Sequence, residues 1–419
     1  MPKLRIKNAE RITLCVPFTP RCQIWNALLV KNWQVVEIIR LTTDSPGLTG
    51  YGETLPHYTW GRVSDANLER VQGQDPADFL GDDSLGAGLQ MAVYDLVGKA
   101  LDAPVHKLLN LPRLREWCPI GWWNSKMPPE ALAEEAKDAL AQGYTCHKFK
   151  VRPWIDVYAQ IEAVSAVTPP YYRLDVDWNN MLLDAGNAIP VLTALDAYER
   201  VAIYEGVIPP QDTAGHRQIR SHIKHPLAIH WGDPPFPLAI REDICDGFVI
   251  GGGVSAVLRN SILAGAFHKL FWLQMVGTGL VTALCAHLGA VLPNAQWPAI
   301  TCLNNYTNDL LVEPLTIKGG YLKVPDGPGL GVTVDEEALE RYRMAPPYVL
   351  PEDKWILSVV WPGGRMAHFA NMQQCWRDFL AGNHPVQVRG VRMDVRRDDG
   401  SKEWRDLHAR VTRAPVWEG

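Results

Sequence analysis

Four charged side chains near the middle of the chain have the types and the spacing of catalytic groups. Lys148 and Lys150 stand two residues apart at the end of an apolar-alternating run, and Asp175 and Asp177 repeat this spacing at the end of the next such run. Because successive side chains of a β-strand point to opposite faces, each pair is predicted to share one face of its strand. Two amines beside two carboxylates at the C-terminal ends of successive strands predict the rim of an active site.

Residues of metal-ligand type recur at the ends of three successive predicted strands. Glu205 follows Asp177 by 28 residues, and His230 follows Glu205 by 25 residues. Two carboxylates and an imidazole on one face suit a divalent cation, and Mg²⁺ is the ion that favours oxygen ligands. The same residues could instead be charged strand ends that hydrogen-bond to loops. The third ligand is open between His230, which is nearer the expected strand end, and Asp233.

The two lysines would lie beside this cation. A lysine close to a metal ion and to a second lysine has a lowered pKa and can act as a general base. The alternative is that Lys148 and Lys150 only neutralise the neighbouring aspartates. A Lys-x-Lys pair is a weak signal alone, and its place on the strand before Asp177 strengthens it.

A regular alternation of strands and helices would position these side chains. Eight strands are predicted at a spacing of about 25 residues, with helices between most of them. They cover residues 118–123, 146–151, 172–177, 201–205, 227–230, 247–250, 270–274 and 300–303. Such parallel βαβ units predict an α/β protein with a (β/α) barrel. A doubly wound open sheet is less favoured, because no glycine-rich phosphate motif follows the first strand.

The chain changes character on both sides of this region. Residues 5–52 predict strands joined by turns, and an apolar helix is predicted over 87–101. After Leu311 a segment rich in glycine and proline leads to Asp335, which has the sequence context of a helix N-cap. Residues beyond 347 are rich in Trp and Arg and show no barrel rhythm.

The composition excludes several classes of protein. Hydrophobic residues make up 47% and charged residues 21% of the 419 residues, which is typical of a globular protein with two or more domains. A net charge of −5 provides no basic surface for nucleic acid or an anionic membrane. No apolar run approaches the roughly 20 residues of a membrane-spanning helix. Eight cysteines without CxxC pairing predict reduced thiols in a cytoplasmic protein.

Several motifs together resemble the enolase superfamily, in its mandelate racemase/muconate lactonizing enzyme branch. They are Gly50-Tyr-Gly-Glu53, residues 91–109, His147-Lys-Phe-Lys150, Asp175-Val-Asp-Trp-Asn179, Tyr204-Glu205, Gly251-Gly-Gly-Val254, Ala286-His-Leu-Gly-Ala290 and Val324-Pro-Asp-Gly-Pro-Gly-Leu-Gly331. The resemblance implies a modified TIM barrel, (β/α)₇β, with an α+β capping domain and a C-terminal extension. The implied domains are 1–117 (capping), 118–311 (barrel), 312–346 (return to the capping domain) and 347–419 (an extension of unknown role). Barrels of this kind commonly self-associate, so we expect a homo-oligomer.

The resemblance also implies roles for individual residues. Mg²⁺ would be held by three strand-end ligands and would chelate the carboxylate of a small-molecule substrate. The shared first step is removal of the proton α to that carboxylate, which gives an enediolate. Asp177 and Glu205 match the first two ligands, and Asn179 matches the polar neighbour of the metal. Lys150 matches the base, and Lys148 matches the supporting lysine beside the carboxylate.

Three departures from the residue pattern of the family reduce the number of reactions that we expect. The third ligand is normally Asp or Glu, whereas this chain offers His230. The histidine of the racemase Asp–His dyad corresponds to Gly279, and Asp246 is expected to start the sixth strand rather than to serve as the dyad acid. The lactonizing enzymes have a lysine on the sixth strand, where this chain has Val249 and Ile250.

One recognisable base favours β-elimination of water from a hydroxy or sugar acid, so we expect a dehydratase. A racemase, epimerase or cycloisomerase of the same branch is the alternative. A barrel that binds a carboxylate without turnover is the third possibility.

Two further residues are candidates for substrate contact. Trp123 ends the first barrel strand at the predicted rim, and Asn304 follows the eighth strand. By resemblance, the loop over 57–60 would cover the substrate. His287 lies in an apolar helical pattern and is expected to be structural.

Overall fold

The N-terminal strands form an antiparallel sheet in the order β1-β2-β3. The computed structural model describes residues 4–58 and 61–418. The first strands are β1 (Ile6–Cys15), β2 (Val35–Thr43) and β3 (Thr49–Thr54), and the first helices are α1 (Gln23–Val30), α2 (Asp65–Val71), α3 (Ala87–Ala100) and α4 (Val105–Leu108). Helix α3 packs on β3 closely enough that a Cβ atom at Gly52 would lie 2.0 Å from the carbonyl oxygen of Gly88. Glycine at position 52 therefore permits the contact between sheet and helix.

The prediction of strands throughout residues 5–52 is wrong between β1 and β2. This part of the chain contains α1, in which Asn26 and Leu28 are buried, and a 3₁₀ helix at Lys31–Gln34. A short apolar run such as residues 27–30 does not distinguish a strand from a buried helix. Two further 3₁₀ helices lie at Pro76–Phe79 and Asp83–Leu85.

The barrel begins after a strand that belongs to another sheet. The single strand predicted over 118–123 is two strands, β4 (Trp117–Pro119) and β5 (Trp122–Asn124), and only β5 joins the barrel. The other barrel strands are β6 (Cys146–Lys150), β7 (Arg173–Asp177), β8 (Val201–Glu205), β9 (Leu227–His230), β10 (Gly247–Ile250) and β11 (Leu270–Leu273). The helices of this region are α5 (Pro129–Ala141), α6 (Val157–Val167), α7 (Ala185–Leu195), α8 (Thr213–Arg220), α9 (Phe236–Arg241), α10 (Val254–Ala266) and α11 (Gly279–Val291). The seven strands are parallel and are ordered from β5 to β11, as successive βαβ units require.

The eighth position of the barrel is filled by a short extended segment. Gly121 N donates to the carbonyl of Ala299 at 2.9 Å, and Ile300 N donates to the carbonyl of Leu273 at 2.9 Å. Residues 299–300 thereby connect the first and the seventh strand and close the barrel. The strand predicted over 300–303 is wrong beyond its first residue, because the chain turns into a 3₁₀ helix at Leu303–Asn305.

After the barrel the chain returns to the N-terminal sheet. Strands β12 (Ile317–Lys318) and β13 (Tyr321–Lys323) extend the sheet of β4, and helix α12 (Glu336–Tyr342) follows. Asp335 caps α12, since its side chain accepts a hydrogen bond from Ala338 N. Met344 N then donates to the carbonyl of Thr13 in β1 at 2.9 Å.

The last part of the chain forms a sheet of its own, and we call residues 355–418 the C-terminal segment. Its elements are β14 (Trp355–Val360), β15 (Met366–Phe369), α13 (Met372–Leu380), β16 (Arg392–Arg397), α14 (Lys402–Arg413) and β17 (Val416–Glu418). The strands are antiparallel in the order β16-β14-β15-β17. Their apolar face shares a core with Leu28 of α1 and with Trp154 and Met181, which follow β6 and β7. The C-terminal segment therefore packs on the loops at the C-terminal ends of the barrel strands.

No helix in the described ranges combines the length and the apolar content that crossing a membrane requires.

Candidate active site

Both predicted lysines meet Asp177 and Glu205 at the ends of three neighbouring barrel strands. Asp175 is not part of this cluster, since its Oδ2 accepts a hydrogen bond from the thiol of Cys146. The parallel register places Lys150 beside Asp177 and Asp177 beside Glu205. The Nζ atom of Lys148 contacts the Glu205 carboxylate and lies 3.4 Å from Oδ2 of Asp177, while Lys150 pairs with Asp177. The side chains of Lys148, Asp177 and Glu205 are each only 1% exposed. The cluster is therefore a set of buried ion pairs in which each charge depends on the others.

Their surroundings shift the pKa values of the two lysines in opposite directions. Burial acts to lower the pKa of Lys148, but the Glu205 and Asp177 carboxylates outweigh burial and raise it above its ordinary value. Burial lowers the pKa of Lys150, which Asp177 only partly offsets, and the charge of Lys148 lowers it further. Groups of one type held at different pKa values can divide the roles of base and fixed charge. The Lys150 amine therefore loses its proton more readily than the Lys148 amine.

The third position of the predicted metal site holds His230. Its Nε2 atom lies 3.1 Å from Oε1 of Glu205, and its side chain is 53% exposed. Asp233, the alternative ligand, is exposed and accepts a hydrogen bond of 2.8 Å from Gln211. The structure thus places His230, and not Asp233, next to the carboxylates.

The donor atoms fit a divalent cation by their type. In the described part of the chain, neither carboxylate oxygen of Glu205 accepts a hydrogen bond with acceptable geometry, although amine and imidazole nitrogens are close. Asp177 and Glu205 supply the oxygens that Mg²⁺ prefers, and His230 adds a nitrogen donor. As these side chains stand, no three His, Cys, Asp or Glu residues within the described ranges form a ready metal-binding group. Instead, the amines of Lys148 and Lys150 pair with the carboxylates of Asp177 and Glu205.

A cavity of about 310 Å³ lies over the cluster, and Lys150, Asn179 and His230 line it. Aromatic rings from both halves of the molecule form part of its wall. Trp33 packs against Tyr58 and Trp123, with ring centroids 4.7 and 5.6 Å apart. This size and lining suit a small organic acid.

The three residues that were predicted to contact substrate differ in their position relative to the cavity. Asn179 and Trp123 both line the cavity. Asn179 adopts a φ of +46° after the strand end, and its backbone N donates to Asp177 at 3.0 Å. The side chain of Asn304 accepts a hydrogen bond of 3.1 Å from Trp123 N and donates one of 2.8 Å to the Trp123 carbonyl. In this arrangement the Asn304 amide holds Trp123 in the wall.

Three residues of the cavity wall were missed by the sequence reasoning. Gln274 accepts a hydrogen bond of 2.9 Å from Lys148 and donates one of 3.1 Å to the hydroxyl of Tyr58. The sequence signal that could have identified Gln274 is its polar side chain directly after the apolar strand β11. Arg152 continues the alternation of Lys148 and Lys150 by two more residues. Trp376 had no sequence signal, because its position depends on how the C-terminal segment packs.

The two positions compared with the racemase Asp–His dyad, Gly279 and Asp246, lie away from the lysine cluster. Gly279 begins α11, packed against Asp309 and Leu311. Asp246 precedes β10 at the strand end opposite the lysine cluster and pairs with Arg220. In the predicted covering loop, Tyr58 lines an adjoining cavity of about 230 Å³, and Thr59 and Trp60 lie outside the described residues.

His287 is buried in α11, where its Nδ1 lies 3.3 Å from Nδ1 of His106 and its Nε2 lies 3.1 Å from the carbonyl of Leu330. These contacts are with the interior of the protein, as expected of a structural histidine.

Comparison with known proteins gives consistent matches. The family model described as enolase C-terminal domain-like matches residues 131–338, which ends before the C-terminal segment. A D-gluconate dehydratase from Thermoproteus tenax is 26% identical over 387 residues, which cover 79% of this chain and 75% of that protein. An N-succinylamino acid racemase from Amycolatopsis sp is 29% identical over 283 residues, or 64% of this chain and 74% of that protein. The structure of a muconate lactonizing enzyme from Pseudomonas fluorescens superposes with a TM-score of 0.67 at 24% identity, covering 81% of this chain and all of that one.

Fold and site together define a capped (β/α) barrel with a lysine–carboxylate cluster at the C-terminal ends of its strands. The matches confirm the family resemblance seen in the sequence, and the chain belongs to the enolase superfamily, in its mandelate racemase/muconate lactonizing enzyme branch. Members of this superfamily generally use Mg²⁺. The relatives include sugar acid dehydratases, racemases and cycloisomerases, so this chain is an enzyme of that superfamily.

Proposed function

We propose that this protein is a Mg²⁺-dependent dehydratase of a hydroxy or sugar acid. The observation that carries the proposal is the pair of lysines that contacts Asp177 and Glu205 at the strand ends, with Lys150 lining the cavity. Their opposite electrostatic environments supply one base and one fixed positive charge, which are the two groups that removal of an α proton requires.

The residues of the cluster divide the work. Lys150, which lines the cavity, removes the proton α to the substrate carboxylate and returns a proton to the β-hydroxyl group, which leaves as water. Lys148 stays charged beside the oxygens that become more negative as the proton leaves, where a fixed cation lowers the barrier. A Mg²⁺ ion bound by Asp177, Glu205 and His230 would supply Lewis-acid stabilisation of the same negative charge. The aromatic wall would keep bulk water from the reacting carbon.

The wall across from Lys150 favours dehydration over reactions that need two bases. Gln274, at the end of the seventh strand, is uncharged and hydrogen-bonds to Tyr58. Among the described residues of the sixth and seventh strand ends, no lysine and no Asp–His pair lines either cavity. Two of the relatives are a D-gluconate dehydratase and a D-xylonate dehydratase, which act on sugar acids.

A racemase, epimerase or cycloisomerase is the second candidate, and one observation favours it. The His230 imidazole is half exposed to the cavity, three strands around the barrel from Lys150, where a second acid or base could act. N-succinylamino acid racemases are among the relatives. A barrel that only binds a carboxylate is the third candidate, because the third ligand position holds a histidine.

The product of the reaction separates the candidates. The protein would be incubated with Mg²⁺ and a library of hydroxy and sugar acids, and the mixtures assayed for 2-keto acids. A 2-keto product supports the dehydratase, and a stereochemical or ring product without a ketone supports the second candidate. Failure of every bound acid both to exchange its α proton with solvent and to form any product would reject both and leave the binding protein.

A further inference from the structure

Arg152 is a buried cation in the cavity wall without a carboxylate partner. It is 2% exposed, and its guanidinium donates to the carbonyl of Val151 at 2.6 Å and to Oδ1 of Asn179 at 2.8 Å. Its Nε atom has no hydrogen-bond partner among the described residues, and no carboxylate of those residues lies within ion-pair distance. Burial lowers the pKa of Arg152 to about 10, although Asp177 partly offsets this effect.

A second buried cation lies close enough to Arg152 for the two charges to interact. Lys126 follows the first barrel strand, is 0% exposed, and has an Nζ atom with no partner within the described ranges. Burial lowers its pKa well below the ordinary value, and the charge of Arg152 adds to this shift. Two positive groups are therefore buried near each other without the acidic residues that neutralise Lys148 and Lys150.

The C-terminal segment holds Arg152 in place and covers it. Gln387 donates to the backbone carbonyl of Arg152 at 3.2 Å. The ring of Trp376, in α13, lies over the guanidinium with its centroid 5.8 Å from Cζ, and Trp376 lines the cavity together with Arg152. The segment thus supplies one wall of the cavity.

An unpaired buried cation is costly, and an anionic ligand removes that cost. The free Nε–H and a neighbouring N–H of one guanidinium match the two oxygens of a carboxylate, which is the arrangement that arginine binds best. The lysine cluster already accounts for one carboxylate of a substrate. Arg152 lies on the rim of the same cavity of about 310 Å³, so a short acid can reach both places.

We propose that the cavity accepts acids with two carboxylates, and that Arg152, with Lys126 near it and Trp376 over it, binds the second one. This inference rests on the proposed function for the position of the first carboxylate. It makes the C-terminal segment a determinant of substrate choice.

Calorimetric titration with two matched acids tests the inference. Glutarate and pentanoate share a five-carbon chain, differ in the second carboxylate, and carry no hydroxyl group to eliminate, so binding is measured without turnover. In the presence of Mg²⁺ we expect the wild-type protein to bind glutarate at least tenfold more tightly than pentanoate, as a charge-assisted hydrogen bond predicts. Arg152→Gln should bring the two affinities together by weakening glutarate alone.

Further variants keep the test informative if Arg152→Gln fails to fold. Arg152→Lys retains the charge without the planar fork and should lose most of the preference, and Trp376→Ala should weaken glutarate binding. The matched control is Arg389→Gln, since Arg389 is 61% exposed on the C-terminal segment and stacks on Tyr158 outside the cavity. This variant should keep the full preference.

The outcomes separate the inference from the proposed function. Equal affinities in the wild type, no binding of either acid, or a preference that survives in Arg152→Gln overturns the inference. Exchange of α protons with solvent, measured on hydroxy acids, reports on the proposed function separately. An Arg152-dependent preference without any exchange and without any 2-keto product supports the inference and contradicts the dehydratase.

Discussion

Two groups of buried cations lie on the same face of the barrel, and they differ in how their charge is balanced. Lys148 and Lys150 contact the carboxylates of Asp177 and Glu205. Lys126 and Arg152 have no acidic partner among the described residues. A buried ion pair is tolerated because each charge compensates the other, whereas an uncompensated charge costs several kcal/mol. We propose that the first group carries out the chemistry on a substrate and that the second receives a charge that the substrate brings.

The two groups also have different origins in the chain. The paired cluster follows from the parallel register of three strands, which sets Lys150, Asp177 and Glu205 at one level. The unpaired group is buried partly by the C-terminal segment, whose core continues into Trp154 and Met181 of the barrel loops. Removal of one carboxylate from the first group should therefore destabilise the protein. Removal of one cation from the second group should stabilise it.

The largest effect is expected from Glu205→Gln. This change keeps the shape of the side chain but leaves Lys148 with Asp177 as its only carboxylate, at 3.4 Å. Breaking a buried pair in this way costs about 3–5 kcal/mol of unfolding free energy, which denaturant titration measures. Glu162→Gln is the control, because Glu162 is 53% exposed in a surface pair with Arg389. A loss no larger than that of the control would show that Glu205 and Lys148 are not coupled.

The buried imidazoles of His106 and His287 form an uncharged pair, which serves as a reference for the two groups of cations. Burial lowers the pKa of His287 to about 4, and the neighbouring His106 lowers it further against the Leu330 carbonyl and Asp326, which raise it. Between pH 6.5 and 4 the unfolded chain binds a proton at this position that the folded protein does not, so stability falls as pH falls. The slope is at most about 1.4 kcal/mol per pH unit, which amounts to roughly 3 kcal/mol across the window. Denaturant titrations at pH 7 and pH 4.5 should show a smaller difference in His287→Gln than in the wild type, and equal differences would reject the assignment.

The smallest effect is expected from Lys126→Met, and its sign is opposite to that of Glu205→Gln. Methionine fills a similar volume without a charge, so the protein should gain about 1–2 kcal/mol of stability in the absence of ligand. The control is Lys137→Met, in which an exposed lysine paired with Glu134 is replaced. If Lys126→Met destabilises the protein, its amine has a partner and the second group is not unpaired.

Much of the fold was predictable because its signals are local. Strands β8, β9 and β10 begin and end where the alternation of apolar residues predicted. The predictions failed where tertiary contacts decide the conformation. Helix α1 arises from a run that also suits a strand, and the eighth strand is replaced by two residues whose hydrogen bonds come from both neighbouring strands.

The candidate site likewise contains residues that the sequence predicted and residues that it did not. Lys148, Lys150, Asp177 and Glu205 are brought together by strand register, which periodicity reveals. Arg152 and Trp376 lie more than 200 residues apart in sequence, and their contact exists only because the C-terminal segment packs on the barrel. No periodic pattern records such a contact, so the composition of residues 347–419 predicted only an extension of unknown role.

The most direct test of the central claim follows the α proton itself. The protein would be incubated in D₂O with Mg²⁺ and each hydroxy or sugar acid that it binds, and NMR would follow loss of the α proton together with deuterium at the α carbon of the recovered acid or at the carbon next to the ketone of a 2-keto product. We predict incorporation by the wild-type protein and a rate lower by about 10²- to 10⁴-fold in Lys150→Met, with Lys137→Met unchanged. Incorporation at the wild-type rate in Lys150→Met, with its fold intact by circular dichroism, would contradict the assignment of Lys150 as the base.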